Sequence, residues 1–255
     1  MYKAVRGTQD ILPQDAPYWR HLENTIHELN ARYGYRRLEP PLFEETSLFV
    51  RSVGESTDIV MKEMYSFTDR GGRELTLRPE FTASVVRAYI QHGMHTWPQP
   101  VKLYSMGPAF RYEAPQAGRY RQFYQLNVEA IGEQDPAVDL ELMSVAWDLY
   151  EMLGSKGLSF QLNSTGCPAC KPGYIEHLVA YYEQHLDEIC EDCKRRLRRN
   201  PLRILDCKVP TCQPIIEGAP HIREHLCTEC AGHFETLRGY LDLLGRSYTL
   251  NHRLV

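Results

Sequence analysis

Between Val101 and Glu133 the chain lays down two β-rich runs joined by a basic loop containing proline and glycine. Val101 to Phe110 forms the first arm. Ala114 to Gly118 supplies the turn, because proline fixes φ and glycine tolerates backbone angles that other residues avoid. Phe123 to Ile131 forms the second arm, and the strand period of two puts Phe123, Gln125, Asn127 and Glu129 on one face. An aromatic ring, two amides and a carboxylate do not make a core. Arg111, Arg119 and Arg121 flank that face. Guanidinium groups beside a turn suit an anion with several oxygens, which they bind in a bidentate way, and the aromatic offers a stacking plane for a base.

The 255 residues suit one large domain, or one domain with an insertion. The net charge of −4 gives no global basic field, so any RNA contact must be local. No apolar run approaches the roughly 20 residues of a membrane span. The first fifteen residues lack an apolar signal-peptide core. A cytoplasmic protein is expected. All eight cysteines lie between Cys167 and Cys230, which predicts a separate inserted module.

Phe110-Arg111-Tyr112-Glu113, a loop, and then Arg119-Tyr120-Arg121-Gln122-Phe123-Tyr124-Gln125 resemble motif 2 of the class II aminoacyl-tRNA synthetases, in the version of the histidyl-tRNA synthetases. Arg6 to Pro13 resembles the N-terminal signature of that family. A helix from Asp15, with Trp19, Leu22, Ile26, Leu29 and Tyr33 as its apolar stripe and Gly34 as its stop, is followed by a strand and Pro40-Pro41. Together these resemble class II motif 1, the dimer element, and so imply a homodimer. Taken without the family, the same helix simply packs on its own sheet.

The fold class expected is α+β: a class II synthetase-like, mainly antiparallel sheet flanked by helices, with a small helical Cys-rich insertion. The expected division is a catalytic core over 1–163, the insertion over 164–234 and a return to the core over 235–255. Strands are predicted over Met61–Asp69 and Arg73–Leu77 around an Arg70-Gly71-Gly72 hairpin, and over Leu158–Asn163 and Tyr248–Val255. Pro79 suits the first position of a helix carrying Thr82, Ala83, Val86 and Ile90 and closed by Gly93. Further helices are predicted over Asp135–Leu153, with a core stripe of Leu140, Met143, Ala146, Trp147 and Tyr150, and over Phe234–Leu244, with Leu237, Leu241 and Leu244.

The resemblance implies a histidine–tRNA ligase. Histidine and ATP give histidyl-adenylate, and the histidyl group passes to tRNA(His). It assigns Arg111 to the α-phosphate and substrate carboxylate, Glu113 to the adenine amino group, Phe123 to adenine stacking and Arg119 to the outer phosphates. Glu80, Thr82 and Gln125 fall to the substrate's backbone groups, and Glu129 to its imidazole. Mg²⁺ would bridge the phosphates. On elementary grounds a lone Glu80 compensates a helix dipole. Phe81, where the family often has glycine, is a departure that bears on the pocket wall. The family continues past a pair like Leu254-Val255 with a segment carrying a catalytic arginine, then motif 3 and an anticodon-binding domain. The resemblance therefore makes this chain an N-terminal part, inactive alone. The alternative is the family's paralogue, a non-catalytic regulatory subunit of ATP phosphoribosyltransferase. A zinc-stabilised RNA-binding module is a third reading, which leaves the motif 2 face without a use.

The cysteine spacing is Cys167-x2-Cys170, Cys190-x2-Cys193, Cys207-x4-Cys212 and Cys227-x2-Cys230. Four thiolates close a tetrahedral structural zinc site, so this module has capacity for two ions, with iron–sulfur as a minor option. Disulfides are disfavoured in a cytosolic protein, and free buried thiols are the alternative for any one pair. Nearness in sequence pairs Cys190 and Cys193 with Cys207 and Cys212. Cys167 and Cys170 then pair with Cys227 and Cys230, because an insertion's entry and exit lie close together. Zinc is read from the spacing, not from the resemblance. The run Lys194-Arg195-Arg196-Leu197-Arg198-Arg199 is either a solvated helix face or, as the family implies, a contact for the tRNA acceptor arm. Asn200 to Cys207 resembles the family's insertion signature.

Overall fold

The computed structural model describes residues 2–54, 57, 59–112 and 118–255. The chain forms two compact units, one of residues 1–134 and 141–155, the other of residues 135–140 and 156–255.

The first unit opens with α1 (Ala16–Arg32), which has proline in its first turn and ends before Gly34 at φ +79. Asp15 stands at the N-cap position but makes no side-chain cap bond there; its carboxylate accepts from Leu12 N–H instead. Strand β1 (Arg36–Arg37) is short and lies on a sheet edge, as the neighbouring prolines require. Strand β2 (Phe43–Glu45) leads into α2 (Thr46–Val53). The predicted strand over Met61–Asp69 is shorter than expected. Ile59–Glu63 forms a turn of π-helix, and β3 covers only Tyr65–Thr68. The hairpin to β4 (Glu74–Leu77) turns on Asp69, whose Oδ1 accepts from Gly71 and Arg73 N–H while Gly72 takes φ +80.

Helix α3 (Thr82–Gln91) begins three residues after Pro79, not at it. The Glu80 carboxylate accepts from Thr82 and Ala83 N–H, so Glu80 caps the helix from outside. Its buried residues are Ala83, Ser84, Val85 and Ala88, whereas Val86 and Ile90 of the predicted stripe are exposed. Small side chains let the helix approach the sheet closely, so hydrophobicity alone misplaces its inner face.

Strands β5 (Val101–Phe110) and β6 (Gln122–Ile131) pair antiparallel along ten residues, and β1 joins β5 in parallel. Strands β2, β4 and β3 form a second, antiparallel sheet. Helix α4 follows over Pro136–Met152. Its buried residues are Ser144, Val145 and Trp147, while Tyr150 is exposed, because the inward face is turned from the predicted stripe. Two clusters cover the two faces of the β5–β6 ribbon. Ile26 and Leu29 of α1 and Val145 of α4 pack with Tyr104, Met106, Leu126 and Val128 on one face. Phe81 and Val85 pack with Val101, Leu103 and Ile131 on the other.

The second unit holds β7 (Phe160–Leu162), α5 (Lys171–Gln184), α6 (Glu191–Arg199), α7 (Gln213–Glu217), α8 (Thr228–Leu243) and β8 (Tyr248–Leu250). Helix α8 starts six residues before Phe234, and β8 is shorter than the predicted run to Val255, because the chain turns after Asn251, whose Oδ1 accepts from Arg253 N–H and whose carbonyl accepts from Leu254 N–H. Leu237 and Leu241 are buried but Leu244 is exposed. Strands β7 and β8 pair in parallel. A core of Tyr174, Leu178, Tyr182, Ile204, Leu205 and Ile216 fills the module between them.

Candidate functional site

The face predicted for β6 exists. Its alternate residues Leu126, Val128 and Ala130 go to the α1 and α4 side, while Glu129 and Ile131 meet α3. Phe123, Gln125 and Asn127 share that side by the strand period. Their directly paired partners on β5 are Ala109, Gly107 and Ser105, all small.

Five contacts close this surface. Arg111 Nε donates to Pro79 O at 2.9 Å, and its guanidinium lies 5.2 Å from the Phe123 ring centroid. Phe110 N–H donates to Arg78 O at 3.0 Å, which fastens the turn before α3 to the end of β5. Thr82 Oγ1 donates to Glu129 Oε1 at 2.7 Å, and Asn127 Nδ2 donates to the same oxygen at 3.2 Å. Glu80, Thr82 and Glu129 therefore form one polar chain at the start of α3, with Arg111 and Phe123 further along the ribbon. Arg119 is exposed in the loop between the strands. Glu113 lies outside the described residues.

Sequence reasoning missed two supports of this surface. Arg78 is buried, and its cation is held by carbonyls rather than carboxylates: Nε donates to Pro108 O and Nη1 to Pro40 O, both at 2.8 Å. Burial holds its pKa below the usual arginine value. Its guanidinium stacks on Phe81 at 4.0 Å, so Phe81 is core. A Cβ on Gly107 would stand 2.8 Å from Arg78 Nη2, which explains a glycine within a central strand. The second support is Gly7, whose carbonyl accepts from Arg121 N–H at 2.7 Å. It sits at φ +87, and a Cβ there would meet Arg121 Cγ at 2.8 Å. Arg121 in turn stacks on Tyr112 at 4.0 Å. Neither the burial of Arg78 nor the pairing of Gly7 leaves a local pattern.

The comparisons with known proteins decide the lineage. The family model for histidyl-tRNA synthetase matches residues 7–167. The chain belongs to the histidyl-tRNA synthetase family. It is 52% identical over 250 residues to the histidine–tRNA ligase of Desulforamulus reducens, covering 98% of this chain and 60% of that protein. It is 52% identical to the histidine–tRNA ligase of Dehalococcoides mccartyi, covering 100% of this chain and 61% of that protein. The apo crystal structure of S. aureus histidyl-tRNA synthetase superposes with a TM-score of 0.78 at 42% identity, over 100% of this chain and 58% of that one. The chain thus spans about 60% of the length of the curated relatives it matches. A Bacillus halodurans protein described as an ATP phosphoribosyltransferase regulatory subunit/histidyl-tRNA synthetase has a TM-score of 0.68 at 20% identity, which shows the shared fold. The class II, mainly antiparallel architecture is as the residues predict.

In the second unit of this family member the cysteines gather in two groups of four: Cys167, Cys170, Cys227 and Cys230, and Cys190, Cys193, Cys207 and Cys212. Sγ–Sγ separations are 3.7 Å for Cys167–Cys170, 3.8 Å for Cys167–Cys227, 4.0 Å for Cys170–Cys230 and 3.9 Å for Cys190–Cys207. A tetrahedron with Zn–S bonds of about 2.3 Å has edges of about 3.8 Å, so both donor sets fit zinc. A disulfide sulfur pair sits at about 2 Å, and all eight thiols are free. Cys170, Cys190 and Cys227 are N-caps of α5, α6 and α8; the thiols of Cys170 and Cys190 lie below the ordinary cysteine value, and that of Cys227 lies above it. The Cys167 N–H bond brings the Cys170 thiol down to about 6, whereas burial pushes Cys193 up.

The basic run is α6. Lys194 pairs with Glu191, Arg195 with Asp192, and Arg196 donates to Arg203 O, while Arg198 and Arg199 are exposed. Among the described residues no helix is long and apolar enough to cross a membrane.

Proposed function

We propose that these residues belong to a histidine–tRNA ligase that activates histidine with ATP and charges tRNA(His). The relatives at 52% identity carry that name, and the polar chain from Glu80 to Glu129 supports the reading most directly. One oxygen of Glu129 takes both local donors, Thr82 and Asn127. The other oxygen is left to accept an imidazole N–H. A site built around such an acceptor rejects side chains that lack the donor, because the carboxylate is then left without its partner.

Adenylation is an in-line attack of the histidine carboxylate on the α-phosphate of ATP. The carboxylate oxygen bonds to phosphorus, the bond to the β-phosphate oxygen breaks, and pyrophosphate leaves. Such a step gains most from positioning and charge stabilisation. Arg111 holds the α-phosphate and the substrate carboxylate, Phe123 stacks on adenine, and Glu113 takes the adenine amino group. Arg119 reaches the outer phosphates, and Glu80, Thr82 and Gln125 orient the ammonium and backbone groups. Mg²⁺ accompanies the nucleotide phosphates and neutralises their charge.

The remaining parts of the reading are a division into core (1–163), insertion (164–234) and return (235–255), a homodimer, a cytoplasmic location, a tRNA contact at Arg198 and Arg199, and one zinc ion at each cysteine group. The regulatory-subunit reading has no comparable support, because the Bacillus likeness is one of fold. The test is charging of tRNA(His) by the full-length protein. Charging with histidine is expected, and its absence, alongside co-purification with a phosphoribosyltransferase, would replace this reading with the regulatory one.

A further inference from the structure

We propose that the two cysteine groups do different jobs: the group at the neck of the insertion is a removable latch, and the group inside it is a permanent part of the fold. This rests on the zinc reading above. The neck group joins residues 60 positions apart, Cys167 with Cys227 and Cys170 with Cys230. It lies where the chain leaves β7 for α5 and where it enters α8. All four of its thiols are partly exposed. Gly166, at φ +63, lies against it, and a Cβ there would stand 3.0 Å from Cys170 Sγ. An ion at this place closes a long loop, and so holds the module's two ends together without filling its interior.

The inner group is built otherwise. Cys193, Cys207 and Cys212 are buried and belong to the same cluster as Tyr182, Ile204 and Ile216. Cys190 N–H donates to Cys212 Sγ and Val209 N–H to Cys207 Sγ, as Cys167 N–H does to Cys170 Sγ at the neck, so what sets the inner sulfurs apart is that three of the four lie inside the core. An incoming chelator reaches the neck ion from solvent. It reaches the inner ion only when the module opens, and that opening draws on the stability of the whole core.

The neck is therefore the module's point of metal exchange and of attack by thiol-reactive electrophiles. Its ion can leave while the interior stays folded. The inner ion leaves only with the fold.

The test uses the 255-residue chain reconstituted with zinc and mixed with a chromophoric chelator. Release is expected in two equal phases of one ion each, the fast one at least about tenfold faster, since exposure and local opening set the rates. The Cys167→Ser/Cys227→Ser variant should bind one ion, show only the slow phase, and keep hydrogen-exchange protection over residues 174–216. The Cys193→Ser/Cys212→Ser variant should lose that protection. Iodoacetamide with peptide mapping gives a check free of mutation: after partial zinc removal Cys167, Cys170, Cys227 and Cys230 are labelled first. One common release phase, or equal labelling of both groups, overturns the latch while leaving the zinc reading intact. No bound zinc at all removes the zinc reading, and the latch with it.

Discussion

Thr82, the first residue of α3, donates its hydroxyl to Glu129 on β6 across 2.7 Å, joining two segments 47 positions apart. The bond holds the carboxylate that the proposed function assigns to the imidazole. Thr82→Val keeps the shape and removes the donor. In the full-length enzyme it should raise KM for histidine on the order of tenfold, the equivalent of about 1.4 kcal/mol, with KM for ATP nearly unchanged. Steady-state kinetics in each substrate checks this, and equal shifts in both would break the assignment.

Arg78 tests the scaffold beneath the site. Its guanidinium serves Pro40 and Pro108 carbonyls from opposite sides of one buried position. Arg78→Met leaves those carbonyls without a donor and should cost roughly 3 kcal/mol. Arg78→Lys should not restore it, since a single ammonium cannot span both acceptors. The urea midpoint of the chain reads the effect, and an unchanged midpoint would contradict it.

Gly7→Ala places a methyl group at a left-handed position and against Arg121 Cγ. The strain is of order 1–2 kcal/mol. It disturbs the start of β6, beside Arg119 and Arg121, and not the Glu129 end. KM for ATP should therefore rise several-fold more than KM for histidine, again by steady-state kinetics.

Elemental analysis should find two zinc ions per chain. Stripping them should unfold residues 164–234, because structural zinc contributes folding free energy. Circular dichroism during chelation follows this, and a metal-free chain with an intact insertion would refute it.

What the sequence made legible follows from local physics. The β6 face could be read because Phe123, Gln125, Asn127 and Glu129 alternate with Tyr124, Leu126, Val128 and Ala130, and a strand cannot mix the two sets. The cysteine grouping could be read because an insertion must leave near where it enters. The inner face of α3 could not. It uses Ala83, Ser84 and Ala88, which packing selects for size, while the larger Val86 and Ile90 stay outside. Glu80 was legible as a carboxylate near a helix start. Its place outside the helix depends on Arg78 and Arg111 fastening Pro79 to β5, which is a long-range relation.

Histidine recognition by Glu129 is the centre of the account, and amino-acid-dependent exchange of pyrophosphate into ATP measures it most directly. The full-length protein should exchange with histidine and with no other standard amino acid. Glu129→Ala should abolish that preference by raising KM for histidine, while KM for ATP holds. Exchange driven by another amino acid, or a Glu129→Ala enzyme with an unaltered KM for histidine, would contradict the site described for this chain.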